Sequence, residues 1–134
     1  RVLFRSPCAT ENEVGRDDVE TLAANGCRAL VEGANMPLTA EARAAIGEAG
    51  LLHGPGKAAN LGGVAMSGLE ISQNAARLHR DEAELSDSLR RIMRESHDAC
   101  VAHGEGRDGV DYVRGADAAG FVKVAEAMTA FGAV

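Results

Sequence analysis

Gly54-Pro-Gly-Lys-Ala-Ala-Asn-Leu-Gly-Gly-Val-Ala-Met-Ser-Gly-Leu-Glu70 is the stretch on which the reading of this chain turns. It concentrates glycine, asparagine and serine where a short apolar strand, Leu51-Leu-His53, gives way to a long helical pattern. Glycine permits close backbone approach and positive φ. A helix starting near Gly62 and Gly63 would offer free amides to a carboxylate or phosphate, with the Ser67 hydroxyl in its second turn.

Upstream, Asp17 to Ala24 reads as a short helix with acids at its start and an Asn25-Gly26 stop. Arg28-Ala-Leu-Val-Glu32 reads as a strand ending at Gly33. Thr39 then caps a helix through Glu48 that Gly50 terminates. Helix and strand alternating with such short connections is the rhythm of a parallel sheet, whose ligands lie off the carboxyl ends of the strands. Pro7 to Asn12, Gly33 to Met36 and Gly54 to Asn60 are therefore expected to meet along one edge.

Downstream, the pattern is wholly helical. Val64, Gly68, Ile71, Ala75 and Leu78 form one apolar stripe; Leu85, Leu89, Ile92, Met93, Ser96 and Cys100 a second; Phe121, Val124, Ala125, Met128 and Phe131 a third. All three read as packing faces. The fold class is α/β, a partial Rossmann-like parallel sheet followed by a helical carboxy-terminal segment, with helix predominating.

With 134 residues the chain can bury roughly two thirds of its unfolded surface. Aromatics make up 3% and Trp is absent, so the core rests on Ala, Leu, Val and Ile. A formal net charge of −6 argues against nucleic acid or an anionic membrane as partner. No apolar run reaches the roughly 18 residues of a spanning helix, and cytoplasm is the expected location. Cys8, Cys27 and Cys100 are too few and too scattered for a disulfide framework and read as thiols.

Several patterns carry less than they spell. Gly104-Glu-Gly-Arg-Asp-Gly109 matches G-x-G-x-x-G but follows a helix rather than a strand, so it reads as a flexible interhelical loop without a cofactor role. His97 and Cys100 supply two possible metal ligands, and two do not make a site. Ser67 lacks a G-x-S-x-G elbow and a base, which sets aside a nucleophile. Asn35 and Asn60 lie in strand-end loops, and a carboxamide can both donate to and accept from a nicotinamide amide or ribose hydroxyl. In an isolated loop, the same residues would more often serve the loop's own turns.

Together with Pro7-Cys-Ala-Thr-Glu-Asn-Glu13, Glu32-Gly-Ala-Asn-Met-Pro37 and Gly115-Ala-Asp-Ala-Ala-Gly-Phe-Val-Lys-Val-Ala125, the opening stretch resembles the carboxy-terminal part of the hexameric bacterial-type glutamate dehydrogenases, over residues 7 to 134. The resemblance implies a fragment of an NAD- or NADP-dependent enzyme that interconverts L-glutamate with 2-oxoglutarate and ammonia. Residues 7–60 would be the distal part of the nucleotide-binding domain, and 61–134 a helical segment lining the interdomain cleft. Ser67 and Val64 match substrate-pocket positions, and Asn35, Asn60, Thr10 and Asn12 match cofactor positions. The catalytic lysine and aspartate and the Gly-rich loop belong to the family's amino-terminal part, so no catalytic residue is expected here, and the isolated chain is expected to be inactive.

Three departures mark this chain: Glu11 for the usual Gln, Met66 for the commoner Thr, and Asp117 for the preferred Asn. Lys57 and Lys123 are its only lysines, and neither matches the catalytic one. Arg1-Val-Leu-Phe-Arg-Ser6 does not match the family's strand before Pro7. One reverse translation, CGTGTGCTCTTCCGATCT, reads as a sequencing-adapter end, so these six residues are expected to be a non-native leader. The competing expectation is a stand-alone, non-catalytic nucleotide-binding or oligomerisation module of the same ancestry. A start codon just upstream of residue 7 would favour that module.

Overall fold

The computed structural model describes residues 3–107 and 109–132. Three short strands, β1 (Phe4–Arg5), β2 (Ala29–Val31) and β3 (Leu52–Gly54), form a parallel sheet in that order. Ala29 pairs with Phe4 on one side and Leu52 on the other. Parallel neighbours need crossover connections. Helices α1 (Arg16–Ala24) and α2 (Ala40–Glu48) supply them.

Local chemistry sets the ends of these helices. Asp18 accepts the Gly15 amide at 2.8 Å, and the Thr39 hydroxyl accepts the Ala42 amide at 3.1 Å, so each satisfies a backbone donor at a helix start. Gly26 at φ 80° and Gly50 at φ 64° turn the chain out of α1 and α2, in conformations that favour glycine. Helix α1 packs on α2, and Val19, Leu30, Leu38, Ala42, Ala45 and Ile46 form a buried cluster under one face of the sheet. Burying a side chain such as Leu30 or Ile46 contributes on the order of 1.5–3 kcal/mol.

Past β3 the chain makes one helical turn, α3 (Gly56–Ala59), inside the segment expected to be loop, and continues at once into α4 (Leu61–Ala76). Arg77 ends α4 in the left-handed region at φ 53°. Helix α5 (Glu82–Gly104) and helix α6 (Tyr112–Phe131) then pack along one another. Their contact is closest at two glycines. A Cβ on Gly115 would stand 2.0 Å from the Cys100 carbonyl oxygen, and one on Gly104 would stand 2.3 Å from that of Asp111.

Two expectations are corrected. The connection between α5 and α6 carries paired strands where only loop was expected: β4 (Glu105–Gly106) and β5 (Gly109–Val110) pair antiparallel, and the Arg114 guanidinium donates to the carbonyls of Gly104 at 2.8 Å and Glu105 at 3.0 Å. Glycine supplies the tight return, with Gly109 at φ 116°. Of the three apolar stripes, only that of α5 is half-buried or buried throughout. Val64 is 70% exposed and Ile71 69% on α4, and Phe121 is 74% exposed on α6. Helical periodicity identifies a face that wants covering, and among the described residues nothing covers those two.

Strand β1 lies within residues 1–6. It joins the sheet through backbone groups, with the Leu3 carbonyl accepting the Arg28 amide at 2.8 Å, while both of its side chains are exposed. Backbone pairing of this kind is indifferent to side-chain identity.

Candidate functional site

The carboxyl ends of the strands carry three loops, and hydrogen bonds run between them. Gly33 and Ala34 amides both donate to the Pro7 carbonyl at 2.9 Å. The Asn12 amide donates to the Met36 carbonyl at 3.0 Å, and Asn12 and Met36 are both at positive φ, 53° and 49°. The Asn60 side-chain amide donates to the Ala34 carbonyl at 3.1 Å. At Gly33 a Cβ would stand 2.4 Å from the Cys8 sulfur, so glycine there lets the first loop lie on the second.

A carboxylate fastens the second loop to the third. Glu32, at the end of β2, is only 6% exposed. Its Oε1 accepts from His53 Nε2 at 2.6 Å, and its Oε2 accepts the Gly56 amide at 3.1 Å. Buried charge is costly unless paired and hydrogen-bonded, and both oxygens here have partners. Gly56 is confined by the same group: a Cβ would lie 2.9 Å from Glu32 Oε2 and 3.2 Å from the Ala34 carbonyl oxygen. Among the described residues no buried side-chain polar atom lacks a hydrogen-bond partner. Sequence reasoning passed over Glu32 and His53; the available signal was a carboxylate closing an apolar strand, which must find a donor if it is buried.

Asn35, Thr10 and Asn12 are exposed at this rim, and Asn60 is half-buried. Because the Ala34 carbonyl only accepts, it takes the amide nitrogen of Asn60, leaving Oδ1 as an acceptor. Asn60 directly precedes α4, and Val64 and Ser67 follow it at i+4 and i+7, so the three share one helix face. Ser67 is thus about 10 Å along the axis from Asn60, exposed on the same face as Val64 and Ile71. Helix α4 begins at Leu61, which puts Gly62 and Gly63 in its first turn, and of their two amides that of Gly63 is already taken, donating to the Asn60 carbonyl at 3.2 Å.

The other sequence candidates take structural roles. Lys57 forms an ion pair with Asp117, joining the third loop to α6. His97 Nε2 lies 3.1 Å from the Tyr112 hydroxyl. Both residues line an apolar cavity of about 280 Å³ beneath β3, which Cys100 also borders. Burial pushes the Cys100 thiol up from its ordinary range, whereas Cys8 is exposed at the rim. Among the described residues no three His, Cys, Asp or Glu side chains come together as a metal site, and no helix is long and apolar enough to cross a membrane.

A parallel sheet with crossover helices and bonded loops at its carboxyl edge defines the α/β class that takes its ligands at that edge. The relatives narrow the class. The model of the Glutamate/Leucine/Phenylalanine/Valine dehydrogenase family matches residues 2–132, and the chain belongs to that family. It is 53% identical over 128 residues to the NADP-specific glutamate dehydrogenase of Escherichia coli, covering 96% of this chain and 29% of that protein. The NAD-specific glutamate dehydrogenase of Porphyromonas gingivalis is 46% identical over 132 residues, covering 98% and 30%. The crystal structure of Plasmodium falciparum glutamate dehydrogenase superimposes with a TM-score of 0.91 at 40% identity, covering 98% of this chain and 29% of that one. The chain thus spans about 30% of the length of the relatives it matches.

Proposed function

We propose that this chain is the distal part of a glutamate dehydrogenase that oxidises L-glutamate, with water, to 2-oxoglutarate and ammonia, or runs the reverse amination. The observation that carries the reading is the edge where three loops are hydrogen-bonded to one another, in a chain so similar to enzymes of that name. A nicotinamide cofactor, NAD or NADP, takes up the hydride. Residues 7–60 belong to its binding domain, and 61–134 line the cleft between domains.

Each assigned role follows from available groups. Asn60 Oδ1 and the exposed Asn35 carboxamide suit the donors of a nicotinamide amide or ribose, with Thr10 and Asn12 completing the rim. The Ser67 hydroxyl donates to the side-chain carboxylate of glutamate, a charge-assisted bond, beside Val64. Proton transfer belongs to a lysine and an aspartate outside this chain, so the isolated chain binds without turnover. The working enzyme is a cytoplasmic hexamer whose amino-terminal domain covers the exposed faces of α4 and α6.

Residues 1–6 are read as a non-native leader, and resequencing the locus tests that reading. For the function, the whole open reading frame is expressed and assayed for glutamate-dependent reduction of NAD and NADP. Turnover by the full-length protein, with none by the 134-residue chain above a Ser67→Ala control, supports the reading. Absence of turnover by the full-length protein contradicts it.

A further inference from the structure

Two side chains outside the assigned ligand positions hold the rim together. The buried Glu32 carboxylate receives His53 Nε2 from β3 and the Gly56 amide from the first turn of α3. Its own backbone amide donates to the Gly54 carbonyl at 2.9 Å. One residue thus bridges the second and third loops at three points, and Asn60 adds a fourth link at Ala34, the neighbour of Asn35. No room is left to slacken the joint, since Gly56 excludes even a Cβ.

We propose that Glu32 and His53 are positioning residues for the nicotinamide cofactor, setting the distance between the Asn35 and Asn60 carboxamides. The proposal rests on the cofactor reading of those asparagines and deepens it. A carboxylate only accepts, so His53 donates through Nε2, and its ring is held between strand and loop with its side chain 13% exposed. Removing that donor leaves Glu32 with a single partner and frees the Gly54 to Gly56 turn to shift. Small displacements of a ligand-orienting group lower rates and affinities steeply. Val64 and Ser67 make none of these bonds, and Ser67 lies about 10 Å along α4 from Asn60, so glutamate recognition stays apart from the joint.

The test uses the full-length protein encoded by the locus. His53→Gln keeps an amide donor, His53→Phe keeps bulk without one, and Glu32→Gln keeps shape without charge. For each, KM for cofactor and for glutamate, kcat, cofactor affinity by quenching or enhancement of reduced-nicotinamide fluorescence, and Tm are measured. His53→Phe is expected to raise cofactor KM and dissociation constant roughly ten- to a hundredfold, with glutamate KM within about twofold and substantial recovery in His53→Gln.

A purely structural role predicts something else: lower Tm and a smaller active fraction, with both KM values unchanged. That result overturns the proposal, as does His53→Phe retaining wild-type cofactor affinity. Should His53→Phe fail to fold, the decision passes to Glu32→Gln, which is expected to raise cofactor KM and for which an unaltered cofactor KM is equally contrary. A wild-type protein without glutamate-dependent turnover defeats the underlying dehydrogenase reading instead, and that outcome is distinct from active variants with normal cofactor KM.

Discussion

The side-chain amide of Asn60 donates to the main-chain carbonyl of Ala34 across 3.1 Å, tying the start of α4 to the loop that follows β2. The bond fixes the orientation of the carboxamide, and so fixes which atom is left to meet a ligand. Asn60→Asp is nearly isosteric but sets an acceptor against an acceptor. It is expected to cost on the order of 1–3 kcal/mol in stability and to weaken cofactor binding in the full-length protein. Urea unfolding and cofactor titration measure the two effects.

Gly115 and Cys100 bring α6 and α5 together backbone to backbone, because a Cβ at residue 115 would stand 2.0 Å from the Cys100 carbonyl oxygen. That atom cannot rotate away as a side chain would. Gly115→Ala is expected to destabilise by at least about 1–3 kcal/mol, even though alanine favours helices. By contrast nothing lies within 4 Å of a Cβ at Gly120, so Gly120→Ala on the same helix should be neutral or stabilising. Thermal unfolding of the pair checks the contrast.

The cysteines should separate by burial. Alkylation at neutral pH, followed by mass spectrometry, is expected to modify exposed Cys8 first and buried Cys100 last. Burial raises the Cys100 pKa, so the folded state keeps a proton that the unfolded chain has released. Stability therefore falls as pH rises above the ordinary thiol value of about 9, and is undiminished below it. Cys100→Ala should flatten that alkaline decline.

The exposed apolar faces of α4 and α6 predict that the isolated chain self-associates. Ile71→Ser and Phe121→Ser, at positions 69% and 74% exposed, should reduce association in sedimentation or light scattering without lowering Tm. Loss of Tm in those variants would mean that the residues already pack within this chain.

Much of this architecture was legible before any coordinates. The stops at Gly26 and Gly50 and the Thr39 cap are local chemistry, and local chemistry places α1 and α2 to within a residue. Strand β3 came out one residue later than read, at Leu52–Gly54, because a strand end is set by its partner's hydrogen bonds. Stripes were harder: Val64-to-Leu78 and Phe121-to-Phe131 have the period of packed faces, yet period says nothing about which surface covers them. The 104–109 hairpin escaped notice because pairing of two-residue strands leaves no alternation to read.

The rim was visible in its asparagines but not in the groups that hold them. Asn35 and Asn60 stand in turn-rich loops and invite a ligand reading. Glu32 and His53 come together only when neighbouring strands are set in register, since they are 21 residues apart in the chain. The Lys57–Asp117 pair, 60 residues apart, was hidden for the same reason. As an exposed ion pair it should contribute no more than about 1 kcal/mol.

The most direct test of the account is the KM for glutamate of the full-length protein carrying Ser67→Ala. A hydroxyl that donates to the substrate carboxylate should, when removed, raise that KM at least about tenfold while the KM for cofactor stays within twofold. An unchanged glutamate KM would contradict the placement of the substrate along the Asn60, Val64 and Ser67 face, and with it the reading of this edge as a dehydrogenase cleft.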